Sequence, residues 1–425
     1  MRLPYIDNGN PLYYQRYRPW REVKREDWDN WKWQLQHTVT KVEQLAEFMP
    51  MSDEEQERVR HTFAKYKFAV APYYLSLADP GNRECPILLQ SIPTEAELHI
   101  ESNERNDPLN EDSDMPVPNV VHRYPDRVLV TLTGVCSMYC RFCTRRRFVL
   151  DKEGHKQKNE VDVIVDYIDS QPEIRDVIVS GGDALMMGTT MLKEVLGRIR
   201  AIPHVEILRI ASKIPCVLPM RITPELVEML KAFKPLYFMT HFNHPYEITP
   251  EVKIACDRIV DGGIPMMNQS VLLRKINSDA AIMKKLMQEL LSLRVKPYYI
   301  YQCDLSEGIS HFRTPVEKGI EIIESLRGHT SGLAVPEFVI DVPGGGGKIP
   351  VAPHYLISQS DKKVVVRNYE GFISTYPQPA LTDCTCSTAR TVEEVGRMAP
   401  EHGLARLLHD DAVTIEPRET QAPTH

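Results

Sequence analysis

Residues 127–143 read RVLVTLTGVCSMYCRFC, an apolar run of strand length that leads directly into three cysteines. The apolar run predicts a β-strand over 127–133. Further strand-length apolar runs follow at 175–180, 205–211, 236–240, 266–271 and 297–302. Helical patterns alternate with them at 160–170, 190–201, 223–232, 249–261, 279–293 and about 315–327. This alternation predicts an α/β fold of parallel βα units, forming a partial (β/α)6 barrel rather than a complete eight-unit barrel.

The flanking segments differ from the barrel in composition. Residues 1–118 predict an N-terminal helical region, to about residue 75, followed by a connector from Asp79 to Pro118 that is rich in Pro, Asn, Asp and Glu. The barrel is assigned to 119–314, and 315–425 to a C-terminal region with an oligomerisation segment and a polar tail. The Thr-Pro-Glu sequences at Thr223 and Thr249 predict helix starts, with Thr as the cap and Pro in the first turn.

Charge and composition exclude several classes of protein. The formal net charge is −7 and the pI is near 6.1, which argues against nucleic acid as the main ligand. The first residues show no secretory signal, and no apolar stretch is long enough to span a bilayer, so we expect a cytoplasmic protein. Nine cysteines, unevenly placed, do not suggest a disulfide framework.

Polar and charged residues gather at five of the predicted strands. The cysteine loop follows the first strand, Gly181-Gly182-Asp183 the second and His241 the fourth, while Gln269 lies within the fifth and the sixth ends at Asp304. Loops at the carboxyl ends of parallel barrel strands carry the chemistry in such folds. The sequence therefore predicts one functional rim.

Cys136, Cys140 and Cys143 have the spacing CxxxCxxC. Three clustered thiolates can hold a four-iron, four-sulfur (4Fe-4S) cluster and leave one iron open to a small molecule. A structural zinc completed by a distant fourth ligand is the alternative. The loop and its place after the first strand resemble the radical S-adenosylmethionine superfamily. The resemblance implies a cluster that binds and reductively cleaves S-adenosylmethionine, with Gly181-Gly182-Asp183 near its methionyl amine.

The segment from Asp341 to Pro350 contains four consecutive glycines followed by Lys348. Such a run lets backbone approach a ligand closely, and successive amides can bind an anion. The lysine suggests phosphate contact or a Schiff base, and a flexible surface turn is the alternative. The spacing is not that of a Walker loop.

Taken together, these segments closely resemble the lysine 2,3-aminomutase family, which combines this cluster with pyridoxal phosphate. The similarity runs from about Trp20 to Thr382. It includes PYYLSL, HRYPDRV, CTRRRF, SGGDAL, THFNHP, NQSVLLR, YYIYQCDL, HFRTP, RGHTSG, PGGGGK and ISQS.

The resemblance implies a role for each matching residue. Lys348 corresponds to the lysine that binds pyridoxal phosphate covalently, and Arg123 and Arg127 to arginines that hold its phosphate, with structural ion pairing as the alternative. His241 and Gln269 match positions near S-adenosylmethionine, although a satisfied core histidine is a rival interpretation. Arg145 matches the arginine that binds the substrate carboxylate, whereas Arg146 and Arg147 can be structural.

The substrate prediction depends on Asp304 and Asp341. Two converging carboxylates repel unless a cation joins them, and in the resembling family the matching pair binds the ε-ammonium of lysine. The pair argues against glutamate but leaves arginine open, and one aspartate could instead cap a helix or turn. The implied reaction is the conversion of L-lysine to β-lysine.

The C-terminal motif departs from the family. Members with a zinc site typically have CxCxxC, but Cys384 and Cys386 are followed by Ala389 where the third cysteine is expected. The position of the partner-donated cysteine falls at Ser278 or Asp279. We therefore predict no tetrahedral zinc site, and we expect a homodimer or homotetramer held by other surfaces.

Two classes of alternative function remain. The first is the same reaction on another basic amino acid such as arginine. The second is a non-catalytic iron–sulfur binding or sensor protein, which would have no need for Lys348, Arg145 and both aspartates. A polar pyridoxal phosphate enzyme such as a decarboxylase would leave CxxxCxxC unexplained. For the enzyme, the expected electron donor is a flavodoxin or ferredoxin, and neither nucleic acid nor membrane is an expected partner.

Overall fold

The computed structural model describes residues 10–151, 158–360 and 362–378. Contacts divide the chain into a first unit that ends at Pro353 and a second that begins at His354. Within the described part, no helix is both long and apolar enough to cross a membrane. The three-part division drawn from the sequence stays a prediction.

The first unit begins with short helices, as the sequence predicts. They are α1 (Arg25–Trp28), α2 (Trp31–Gln36), α3 (Val42–Phe48), α4 (Asp53–Lys65), α5 (Pro72–Ser76) and α6 (Pro86–Ser91). Trp28 is fully buried, and its ring stacks on Tyr14 with the centroids 3.9 Å apart. Trp28 therefore packs in the core of the N-terminal helical region.

A nine-stranded sheet forms the body of the first unit, with the strands in chain order. They are β1 (Val120–Tyr124), β2 (Arg127–Thr131), β3 (Asp176–Ser180), β4 (Ile207–Ala211), β5 (Leu236–Thr240), β6 (Met266–Leu272), β7 (Val295–Gln302), β8 (Glu337–Val342) and β9 (Gly347–Pro350). Neighbours from β2 to β8 are parallel, whereas β1 and β9 pair antiparallel at the two edges. Lys348 N on β9 donates to Tyr124 Oη on β1 at 3.0 Å, so the edges meet and the barrel is nearly closed.

Helices connect these strands. They are α7 (Arg146–Asp151), α8 (Lys158–Asp169), α9 (Thr189–Arg200), α10 (Ile214–Val217), α11 (Pro224–Lys231), α12 (Pro250–Asp261), α13 (Ala280–Ser292) and α14 (Val316–Leu326). Thr223 and Thr249 accept from Leu226 N and Val252 N, which confirms both predicted caps. Alternate residues of the strands are buried, among them Val177 and Val179 of β3, so the core lies between sheet and helices.

The barrel prediction is confirmed, and the structure adds to it. The six predicted strands correspond to β2–β7. One more parallel strand, β8, follows α14 and pairs with β7. Phe338 of β8 packs against Gly319 of α14, where a Cβ would meet the ring, so only glycine lets the helix lie this close.

The second unit contains a three-stranded antiparallel sheet of β10 (Leu356–Gln359), β11 (Lys363–Arg367) and β12 (Ile373–Pro377). Cys384, Cys386 and the predicted polar tail lie outside the described residues. Asp279, one candidate position for the family's donated cysteine, caps α13 by accepting from Ala281 N and Ile282 N. This contact accounts for an aspartate at that position.

Candidate active site

One cavity of about 640 Å³ inside the barrel brings nearly all the predicted site residues together. Its lining includes Cys136, Cys140, Cys143, Arg123, Arg127, Arg145, Gly182, Asp183, His241, Gln269, Asp304, Asp341 and Lys348. Gly181 lies outside the lining. Arg123 and Lys348, which are 225 positions apart in sequence, therefore line one cavity, because the loops at the ends of the parallel strands meet there.

The cysteine loop follows β2 and is held by the N-terminal helical region. Tyr139 N donates to Ala69 O at 3.0 Å, and Arg141 N donates to Gln90 O at 3.0 Å. The Arg141 guanidinium forms a fully buried ion pair with Glu97, with Nη2 2.6 Å from Oε2. These anchors hold the three cysteines against the cavity.

The donor chemistry of this loop fits an iron–sulfur cluster. Burial raises the pKa of the Cys140 thiol to about 12, so binding iron would have to displace its proton. In the described part of the chain, no three His, Cys, Asp or Glu side chains converge on a position for a single metal ion. A four-iron cluster needs no such convergence, because each cysteine binds a different iron.

Gly181 and Gly182 bring the loop after β3 against the cysteine loop. Gly181 has φ +133°, and a Cβ on Gly182 would lie 2.5 Å from Val135 O. Gly182 N donates to Thr133 O at 2.5 Å. The glycines are therefore required for contact between two backbones, which no local pattern in the sequence predicts.

Asp183 joins the loops after β3 and β4. Its carboxylate accepts from Leu185 N at 3.0 Å, Ser212 Oγ at 2.7 Å and Lys213 N at 2.8 Å. Burial raises the pKa of Asp183 to about 6. The carboxylate thus holds the rim together, while direct contact of this loop with a cofactor stays a prediction.

His241 presents an unpartnered polar atom in the cavity wall. Its Nε2 is buried without a hydrogen-bond partner, and its ring stacks on Phe142 of the cysteine loop. Burial, with the nearby Lys213 ammonium, lowers the pKa of His241 to about 3, so the ring is neutral at physiological pH. A core histidine would have hydrogen-bond partners for its ring nitrogens, so the unpartnered Nε2 favours a contact with a ligand.

A buried charge pair that the sequence does not predict lies beside this histidine. Lys213 Nζ, which lines the cavity, donates to His241 O at 2.9 Å and to Glu247 Oε1 at 3.0 Å. Glu247 is fully buried and also accepts from Tyr74 Oη at 2.8 Å. Lysine and glutamate in separate loops give no pattern in the sequence that would predict this contact.

The glycine run forms the turn of the β8–β9 hairpin rather than a free surface loop. Gly344, Gly345 and Gly347 have φ values of +77°, +93° and +76°. The hairpin register places Lys348 directly opposite Asp341. Lys348 Nζ lies 2.9 Å from Asp341 Oδ2 and 5.6 Å from the centre of the Tyr301 ring.

Asp304 and Asp341 face the same part of the cavity. Burial, and then the negative charge of Asp341, raise the pKa of Asp304 to about 7. Asp341 is only 7 % exposed, and its Oδ1 has no hydrogen-bond partner. A buried carboxylate oxygen with no donor is costly, so this part of the cavity is suited to a cation.

Each arginine of the Arg145–Arg147 run pairs with an acidic residue of the connector. Arg145 binds Glu111 through two nitrogens, with Nη2 2.5 Å from Oε1. Arg146 Nη2 lies 3.2 Å from Glu97 Oε2, and Arg147 pairs with two aspartates. The connector therefore neutralises the basic run, and Glu111 is a cavity residue that the sequence analysis missed.

Arg123 and Arg127 lie on either side of the β1–β2 turn and line the cavity. Arg123 Nε lies 2.6 Å from Asp114 Oδ2, and Arg127 Nη1 lies 2.8 Å from Asp126 Oδ1. Arg123 Nη2 also lies near the glycine turn, because a Cβ added to Gly345 would be 3.8 Å from this nitrogen. Both arginines make ion pairs and line the same cavity as Lys348, and phosphate binding stays a prediction.

Comparisons with known proteins agree on one family. The family model described as "Radical SAM superfamily" matches residues 130–279, and "Lysine-2,3-aminomutase" matches residues 323–424. L-lysine 2,3-aminomutase of Acetoanaerobium sticklandii is 51% identical over 93% of this chain and 95% of its own length. The enzyme of the same name from Clostridium subterminale is 49% identical over 95% and 96%.

A relative with a different name is also similar. Glutamate 2,3-aminomutase of Clostridioides difficile is 44% identical over 84% of each chain. The matched regions together include the cysteine loop, Gly181-Gly182-Asp183, His241, Gln269 and the β8–β9 hairpin. The chain belongs to the lysine 2,3-aminomutase family of radical S-adenosylmethionine enzymes.

Proposed function

We propose that this enzyme converts L-lysine to β-lysine by moving the α-amino group to C3. It is an isomerase that uses a 4Fe-4S cluster, S-adenosylmethionine and pyridoxal phosphate. The observation that carries the choice of lysine is the unpartnered Oδ1 of Asp341, buried in the same cavity as the three cysteines. A terminal ammonium supplies the missing donor, whereas a second substrate carboxylate would repel this oxygen.

The chain's own residues bind and orient the reactants. Cys136, Cys140 and Cys143 hold the cluster, and the neutral His241 offers Nε2 to S-adenosylmethionine. Lys348 binds pyridoxal phosphate covalently through Nζ. When bound, these groups supply a hydrogen-abstracting radical and a conjugated ring across which the amino nitrogen can migrate.

Groups of opposite charge in the cavity bind the two ends of the substrate. The Arg145 guanidinium binds the α-carboxylate, and Asp304 with Asp341 bind the ε-ammonium. Because a radical abstracts whichever hydrogen it meets, holding both ends limits the reaction to one carbon.

The proposal extends to the enzyme's setting. We place it in the cytoplasm, where a flavodoxin or ferredoxin would reduce the cluster. We further propose a homodimer or homotetramer, held together by surfaces other than a metal site.

The function is tested by product analysis under anaerobic conditions. The enzyme, reconstituted with iron, sulfide, pyridoxal phosphate and S-adenosylmethionine, is reduced with dithionite and offered lysine, arginine, glutamate or alanine separately. We expect β-lysine from lysine and no β-amino acid from the others, with Cys140→Ala as an inactive control. β-Arginine would retain the chemistry but overturn the substrate, and no β-amino acid from any of the four would contradict the proposal.

Lysine binding is expected to depend on pH through Asp304. Its pKa is about 7 in the free enzyme, and an ammonium favours the ionised form. As the pH rises from about 5 to about 7, a growing fraction of Asp304 is ionised, so the dissociation constant for lysine should fall by up to about tenfold per pH unit. Above about pH 7 it should level off. Asp304→Asn should bind lysine more weakly and remove most of this slope. An unchanged slope in that variant would assign the dependence to another group, such as Asp183.

A further inference from the structure

We propose that Glu111 is a positioning residue that holds Arg145 by one edge of its guanidinium and leaves the other edge for the substrate carboxylate. This inference rests on the proposed function. No motif in the sequence marks Glu111, which lies in an acidic connector with little periodicity. Its contact with Arg145 inside the cavity singles it out.

The contact geometry supports this role. Glu111 Oε1 lies 3.1 Å from Arg145 Nε and 2.5 Å from Nη2, and Oε2 lies 3.0 Å from Nε. A guanidinium carries five N–H donors in a planar fork with two usable edges. Glu111 occupies the Nε–Nη2 edge, so the edge formed by Nη1 and Nη2 can still bind a carboxylate bidentately.

The charges of the cavity explain why such a partner is needed. Arg145 shares the cavity with Asp304 and Asp341, two carboxylates of opposite charge to its own. A guanidinium without Glu111 could turn towards them, because its side chain is long and flexible. Binding to Glu111, which is only 5 % exposed, keeps the carboxylate-binding and ammonium-binding ends of the cavity apart.

The connector that carries Glu111 is itself fixed to the ammonium-binding end. Arg105 N donates to Leu305 O at 2.7 Å, and Glu307 N donates to Arg105 O at 3.2 Å. Leu305 directly follows Asp304. One segment therefore contacts both ends of the site, so it can set the distance between Arg145 and Asp304.

The test compares Glu111→Gln with Asp112→Asn in the pyridoxal phosphate-loaded protein. Asp112 is the adjacent connector residue, is exposed, and pairs with Arg147, which keeps Asp107 as a second partner. Lysine and cadaverine are titrated separately while the cofactor absorbance is followed, because cadaverine has both amines but no carboxylate. Glu111→Gln should weaken lysine binding by about 10- to 100-fold and leave cadaverine binding within about twofold, whereas Asp112→Asn should change neither.

Two further variants keep the test decisive. Glu111→Asp, which retains the charge, should restore part of the lysine affinity and remains informative if the glutamine variant does not fold. Adding Glu111→Gln to Arg145→Lys should weaken lysine binding no further, since Glu111 acts through the guanidinium.

The outcomes separate this inference from the proposed function. Lysine binding that is unchanged or tighter in Glu111→Gln would overturn the inference, as would an equal loss for lysine and cadaverine. If the unaltered enzyme binds cadaverine but not lysine, the proposed function fails, and the inference fails with it.

Discussion

Lys348→Ala is expected to lower turnover of lysine by about 10³-fold or more and to abolish covalent attachment of pyridoxal phosphate. The hairpin register sets Lys348 opposite Asp341, with Nζ 2.9 Å from Oδ2, inside the cavity that contains the cysteine loop. Another lysine could replace it only by reaching the same position opposite Asp341. Alanine also leaves Asp341 without its cationic partner.

The attachment is measured separately from activity. Borohydride treatment of the loaded enzyme fixes the cofactor on its lysine, and peptide mass mapping should find the label on Lys348. Lys318→Ala is the matched control, because Lys318 lies on α14 and pairs with Glu321 at the surface. A label on a different lysine, or full turnover by Lys348→Ala, would contradict the assignment.

Gly181→Ala is expected to destabilise the enzyme by roughly 2–5 kcal/mol and to reduce the iron content after reconstitution. The residue has φ +133°, which L side chains rarely adopt, and its Cβ would lie 2.9 Å from Thr133 N and closer still to Thr133 O. Both neighbours are backbone atoms at the start of the cysteine loop, so the loop must move. Displacement of that loop separates the cysteines from the positions that a cluster requires.

Gly332→Ala provides the control for this substitution. Gly332 has no positive φ, and its Cβ would meet no atom within 4 Å. The free energy of unfolding of the Gly332→Ala variant, measured in urea, should stay within about 0.5 kcal/mol of the value for the unaltered protein. Equal stability and iron content in Gly181→Ala and Gly332→Ala would show that the two loops are not packed as described.

Hydrophobic periodicity predicted most of the barrel because it reports burial one element at a time. The predicted strand at 236–240 matches β5 (Leu236–Thr240), and the Thr249 cap was recognised from three adjacent residues. The strand β8 was not among the six predicted strands. Its six residues exceed the five of each strand from β2 to β5, so length does not explain this. It lies in the segment that the sequence assigns to the C-terminal region, beyond the six units of the alternating pattern.

The sequence by itself determined the barrel, the cysteine motif and the lysine after the glycine run, because each depends on residues close together in the chain. Only the tertiary structure decided which charges meet. Arg145 binds Glu111 from the connector, 34 positions earlier, and Lys348 faces Asp341 because a hairpin turns between them. It also showed that Gly182 serves contact between backbones. Such pairings depend on how the strands deliver separate loops to one cavity, a long-range property that local patterns of charge and hydrophobicity do not encode.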